Sequence, residues 1–280
     1  MIIDTHQHFW NLDLLEYWWL NESFGPLYRT YSPQELEPQL KAAGVTKTVL
    51  VQSANSYDDT RYMLQKADEF DWIAGVVGWV PLWNPREAEI MLNKFMQHPK
   101  FCGVRHLIHE EQNPTWLQEP HVIEGLKLLA QRNLTFDAVS VLTEQLANLP
   151  VVAEQVPDLK IVIDHLAKPP IKEEGWQPWA DTLERCAAHP NIYAKLSGLN
   201  TAADWETWSA ADLQPYVDFA IEQFGAKRLM FGSDWPVAIL AGDYQKVKAE
   251  TEKTLTKLSE KDKQSIWSET AKEFYGLDVD

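Results

Sequence analysis

The sequence predicts an α/β fold, a single (β/α)8 TIM barrel that takes residues 1–280 as one domain. Three observations lead there. Eight short, nearly continuous apolar runs alternate with amphipathic stretches, the pattern of strands buried on both faces and joined by helices. A length of 280 residues suits one closed barrel. The doubly wound alternative would carry a glycine-rich turn after its first strand, and none follows here.

The runs are IIDTH from Ile2, KTVLV from Lys47, IAGVVGWV from Ile73, FCGVRHLI from Phe101, LTFDAVS from Leu134, KIVIDHL from Lys160, IYAKLSG from Ile192 and RLMFGSD from Arg228. Helix signals fall between them. Ser32-Pro33-Gln34-Glu35 joins an N-cap, a proline at the first helical position and a glutamate three after the cap, and Asn84-Pro85-Arg86-Glu87 repeats that logic. From Ala211 to Phe224, the residues Leu213, Val217, Ile221 and Phe224 form one stripe, which Gly225 can end. Ser259 can cap a last helix carrying Ile266, Trp267 and Phe274. Pro150 predicts a break in an otherwise helical stretch.

Composition narrows the function. A formal charge of −16 argues against nucleic acid and anionic membrane as partners, since both need a basic footprint, and it disfavours a multiply anionic substrate. No apolar run approaches the roughly 20 residues of a membrane helix. The start MIIDTHQHFW has no basic region or cleavage pattern and reads as a core strand. Two cysteines, Cys102 and Cys186, make no disulfide framework, so a cytoplasmic protein is the simplest expectation, with a homo-oligomer left open. The 13 tryptophans serve packing, flat walls for a ring-shaped substrate, or both.

In such a barrel chemistry gathers at the C-terminal strand ends. There the sequence places His6 and His8, Arg105 and His106, Asp137, Asp164 and His165, Lys195, and Asp234. Burying these groups is costly unless they are paired or bind something. His6 and His8 lie two apart and so share one face of a strand, where two imidazoles can grip a metal or a substrate oxygen. An HxH pair alone is weak evidence and more often marks hydrogen-bonded core or rim histidines; His165 and Asp234 at other strand ends strengthen the functional reading.

These motifs resemble a known family. IDTHQHFW, GVRH, IVIDHLAKP, KLSGL, FGSDWPV and ETAKEFYGL, together spanning Ile2 to Leu277, are similar to the amidohydrolase superfamily in its sugar-lactone lactonase branch. The resemblance implies an amidohydrolase-like barrel hydrolase with His6, His8, His165, Asp234 and Arg105 in the active site. Departures are visible too. The superfamily's metal-bridging lysine has no evident counterpart, which points away from a binuclear centre. His109 stands where related lactonases often have Gln, and Pro81 where they often have Asp.

Opening a cyclic ester requires an activated water, a stabilised oxyanion and a proton for the leaving oxygen. Asp234 is the expected base on water, and His165 the group that polarises the carbonyl or returns a proton. His6 and His8, with His165 or Asp234, are expected to hold at most one divalent metal, zinc by preference; the alternative is hydrogen bonding with the metal dispensable. Arg105, Trp10, Trp235, His106 and Asp137 are expected to bind a sugar lactone, with His109 as a further hydroxyl reader. Trp83 is a further wall candidate, and Trp18 and Trp19 fall in a loop suited to a lid. Lys168 and Lys195 are expected to be structural and Asp164 a supporting partner. Rival readings are a decarboxylase, a pyrone-dicarboxylate-type lactonase and a non-catalytic binding barrel. No GxSxG nucleophile motif is present.

Overall fold

A computed structural model of the chain describes residues 1–279. The strands are β1 (Ile3–Gln7), β2 (Lys47–Val51), β3 (Ile73–Gly78), β4 (Phe101–His106), β5 (Thr135–Ala138), β6 (Ile161–Ile163), β7 (Ile192–Leu196) and β8 (Leu229–Phe231). They pair in parallel in chain order. The helices are α1 (Pro33–Ala43), α2 (Tyr57–Glu69), α3 (Pro85–Phe95), α4 (Pro120–Gln131), α5 (Thr143–Leu146), α6 (Leu149–Gln155), α7 (Trp179–Ala187), α8 (Ala210–Phe224), α9 (Tyr244–Thr254), α10 (Glu260–Gln264) and α11 (Thr270–Tyr275). This is the predicted (β/α)8 barrel, each strand beginning within one residue of its apolar run.

Local signals act with differing force. Asn84 caps α3 by accepting from the Glu87 amide, and Ser259 caps α10 through Asp262. Ser32 sits at the cap of α1 but makes no cap bond; Pro33 still sets the first turn. The chain breaks between α5 and α6, and Pro150 lies in the first turn of α6, where its missing N–H costs nothing. The predicted last helix is α10 and α11 joined by a π-helical turn, Ser265–Glu269.

The seam between β8 and β1 lies beyond the regular ladder. His8 N donates to Trp235 O at 2.7 Å and Asp234 N to His6 O at 2.8 Å. Asp4 fastens the same seam. Its carboxylate accepts from Ser233 N at 2.8 Å, His6 N at 3.1 Å and the Tyr244 hydroxyl at 2.9 Å, all fully buried. At the opposite end, Phe274 and Tyr275 of α11 pack with Val49, Val51, Val77 and Met230, an apolar layer below the polar one described next.

Removing the Asp4 carboxylate strands three buried donors, each costing about 1–3 kcal/mol. Asp4→Ala is expected to lose at least about 3 kcal/mol of unfolding free energy in guanidinium titrations. A loss below about 1 kcal/mol would show that the seam is held elsewhere.

Candidate active site

Strand β1 delivers His6 and His8 to the barrel mouth with their Nε2 atoms 3.1 Å apart. Asp234, three residues past β8, sets Oδ1 3.8 Å from His6 Nε2, 3.6 Å from His8 Nε2 and 3.8 Å from His165 Nε2. The four residues anticipated from the strand ends therefore meet at one point. Asp234 has φ +61°, and His165 opens a run of four consecutive left-handed residues, His165 to Lys168, with φ from +49° to +57°. Such conformations are costly for L-residues and persist only where the surroundings enforce them. Gly198 permits the approach: a Cβ there would lie 2.7 Å from both Asp234 Oδ2 and His165 Nδ1.

Beneath this cluster runs a buried column of charge. His6 Nδ1 is 3.2 Å from Asp164 Oδ1 and 3.1 Å from Lys195 Nζ. Lys195 Nζ bridges Asp164 and Asp137, and the Tyr275 hydroxyl donates to Asp137 at 2.7 Å. Arg105 approaches Asp164 Oδ2 at 3.1 Å and donates to Gln52 O. Burial works against ionising Asp164, but His6, Lys195 and Arg105 outweigh it and hold its carboxyl well below the usual range. Burial raises Asp137 to about 6 despite Lys195.

Hydrogen bonding fixes which histidine nitrogens are free. His8 Nδ1 lies 2.8 Å from the Val51 carbonyl, which only accepts, so neutral His8 presents a lone pair at Nε2. His6 has two consistent tautomers. With Nδ1 accepting from Lys195, its Nε2–H donates to His8. With Nδ1–H turned towards Asp164 Oδ1, 3.2 Å away, His6 Nε2 is an acceptor that faces His8 Nε2 across 3.1 Å and the Arg105 guanidinium at 3.4 Å, beside the Asp234 carboxylate. That second, acceptor-only set fits one small divalent cation, because metal–nitrogen bonds of about 2.0–2.1 Å place two ligand nitrogens roughly 3 Å apart. Burial lowers His6 and His8 and brings His165 to about 4, keeping them neutral ligands or donors near pH 7. Burial also opposes ionisation of Asp234, yet His165, His8, Lys168 and His6 together hold its carboxyl below the ordinary value.

His8, His165 and Asp234 form the floor of a cavity of about 440 Å³, with His6 buried beneath them. Trp10, Trp19, Phe24, Leu107, Val139, Val141 and Val237 wall it, and Ser53, Arg105, His109, Glu110 and Lys168 supply polar atoms. Of the expected substrate contacts, Trp10, Arg105 and His109 line this cavity. Three others are placed elsewhere. Asp137 lies below the floor, fully buried against Lys195 and Tyr275. His106 stacks on Trp116 at 4.2 Å, accepts from the Trp79 indole and meets Glu111 at 2.7 Å. Trp235 packs among Phe9 and Tyr31, behind the wall. Trp83 packs beside Trp79, His106 and Trp116, also off the cavity. Trp19 donates to Ser53 O, and half-exposed Trp18 donates to Glu110, so the loop after β1 is tied to the loop after β4. Sequence reasoning passed over Glu110 and left Lys168 as structural, although Lys168 follows His165 by three in the DHLAK motif and lines the cavity.

His109 yields a pH test. Burial lowers it to about 4 in the fold, against about 6.5 in the unfolded chain, so unfolding takes up a proton between those values. Its contribution is complete above pH 6.5 and is lost as pH falls towards 4. Relative to His109→Gln, the native protein should lose stability as pH falls across that window, by an amount reduced by the solvent that reaches this exposed side chain. Parallel stability curves for the two proteins would refute a His109 that stays neutral in the fold.

Comparison with known proteins accords with this geometry. An L-fucono-1,5-lactonase of Burkholderia ambifaria is 39% identical over 242 residues, covering 86% of this chain and 82% of its own. Another L-fucono-1,5-lactonase, from Burkholderia multivorans, is 33% identical and covers 98% of this chain and 96% of its own. The crystal structure of an amidohydrolase from Burkholderia multivorans with bound zinc is 32% identical and superposes with a TM-score of 0.92 over 99% of each chain. The family description "Amidohydrolase" matches residues 3–277, a span holding every residue of the cluster, and this chain belongs to that family.

Proposed function

We propose that the chain is a lactonase that opens a neutral sugar lactone, an aldonolactone such as L-fuconolactone or L-rhamnonolactone. The observation that carries this reading is the Asp234 carboxylate, ionised and set among three histidines on the floor of a largely apolar cavity. Similarity to two L-fucono-1,5-lactonases supports it. The reading includes carbohydrate metabolism and a cytoplasmic setting. Among the described residues no helix is long and apolar enough to cross a membrane, and both cysteines are buried and unpaired.

In this reading Asp234 takes a proton from water as the water oxygen attacks the carbonyl carbon. Neutral His165, its Nδ1 accepting from the Ser197 hydroxyl at 2.8 Å, presents Nε2–H to the carbonyl oxygen as charge builds there. His6 and His8, with Asp234 Oδ1, would hold one divalent ion, zinc by preference. When bound it supplies a Lewis acid beside the reacting carbonyl. Asp234 Oδ2 faces away from the histidine pair towards Lys168 at 3.9 Å, so ligation by one carboxylate oxygen leaves the other for the proton.

Charge in the cavity favours a neutral substrate. Among the lining side chains Arg105 and Lys168 are balanced by Asp234 and Glu110, which leaves no surplus basic side chain to pair with a dicarboxylate or a decarboxylase substrate. The apolar face of a sugar ring suits Trp10 and Trp19, while His109 and Glu110 are placed to bind hydroxyls.

Asp234→Asn should remain folded and lose on the order of 100-fold or more in kcat on the best aldonolactone. Near-normal turnover would mean that another group activates water. Wild-type kcat/KM should favour L-fuconolactone or L-rhamnonolactone over pyrone dicarboxylate. A tenfold preference for the dicarboxylate, about 1.4 kcal/mol, would reverse the substrate assignment.

A further inference from the structure

The left-handed turn carries a second group to the site. Lys168 N donates to His165 O at 2.8 Å, so His165 and Lys168 are separated by one turn of about three residues and their side chains leave the same side. Both face Asp234: His165 Nε2 is 3.8 Å from Oδ1 and Lys168 Nζ is 3.9 Å from Oδ2. An ammonium has three hydrogens to donate. Two are used, on Gly198 O at 3.1 Å and Thr201 Oγ1 at 2.7 Å. Among the described residues the one further acceptor near it is Asp234 Oδ2, too far for a hydrogen bond, and Lys168 lines the cavity. One oxygen can sit between them, within about 2.8 Å of each, and touch the third hydrogen and the carboxylate together.

We propose that Lys168 is a catalytic residue that binds the ring oxygen of the lactone and stabilises the negative charge it acquires on leaving. The proposal rests on the lactonase reading. Water attacks the carbonyl carbon and gives one proton to Asp234. The tetrahedral adduct then re-forms its carbonyl as the bond from carbon to ring oxygen breaks, and the bonding pair stays on that oxygen. Lys168 holds it by the third N–H while the proton on Asp234 passes to it. The products are one hydroxyl and one carboxyl group, with Lys168 charged throughout and Asp234 again ionised. The gap between Nζ and Oδ2 is where such an oxygen reaches both its stabiliser and its proton source.

The test compares the preferred aldonolactone with its ring-sulfur thiolactone. A thiolate leaves readily and is a weak hydrogen-bond acceptor, so it needs little from an ammonium. Lys168→Met should lose about 100-fold in kcat on the lactone, the scale for one preorganised donor to a developing oxyanion, and less than about fivefold on the thiolactone. Equal losses on both, or no loss on the lactone, overturn the assignment. If Lys168→Met does not fold, judged by circular dichroism and melting temperature, Lys168→Arg carries the test. It should show the same asymmetry at smaller size, and an equal effect on both substrates again overturns the assignment. Wild-type protein is the control: if it opens no aldonolactone, the lactonase reading fails and this assignment falls with it.

Discussion

Asp164 is the pivot of the barrel. One carboxylate, fully buried, meets Lys195, Arg105 and His6 from different strands. Taking these charges out of water is expensive, and replacing such a network by apolar side chains is often neutral or even stabilising. Its benefit therefore lies in position. Lys195 and Arg105 hold Asp164 ionised, and Asp164 and Lys195 compete for the same nitrogen of His6. In the proposed ligand set, that competition governs whether His6 Nε2 bears a hydrogen or a lone pair, and so whether the histidine pair would close on itself or take a cation. The Asp137–Tyr275 contact extends the column to α11, so the C-terminal helix supports the chemistry from below.

Much of this was legible in the sequence. The barrel followed from apolar runs whose starts are displaced by at most one residue in the structure. Buried parallel strands leave little freedom in where a β-branched run begins. His6, His8, His165 and Asp234 were legible because polar side chains at the ends of such runs have few inexpensive structural explanations. Their convergence needed only the rule that parallel strands of a barrel share one mouth.

Side-chain direction was less legible. Asp137 and His106 come from the right strands, but one points into the axis below the floor and the other outward onto Trp116. Period-2 alternation tells neighbouring residues apart but does not give depth along the barrel. Trp235 follows Asp234 directly, and the left-handed backbone at Asp234 turns the chain so that the indole packs behind the wall. Lys168 was undervalued for a related reason. A left-handed turn of non-glycine residues is too rare to expect, and only that turn brings the lysine back over His165.

The proposed role of Asp164 is to set His6 to ligate. It is tested most directly by calorimetric titration of divalent zinc into metal-stripped wild-type protein and Asp164→Asn, with cooperative unfolding checked in both. Wild type should bind one ion per chain, and Asp164→Asn should bind roughly 10–100-fold more weakly, the usual effect of losing the carboxylate behind a ligating histidine. Equal affinity in the two proteins, or two ions bound per chain, would contradict the account.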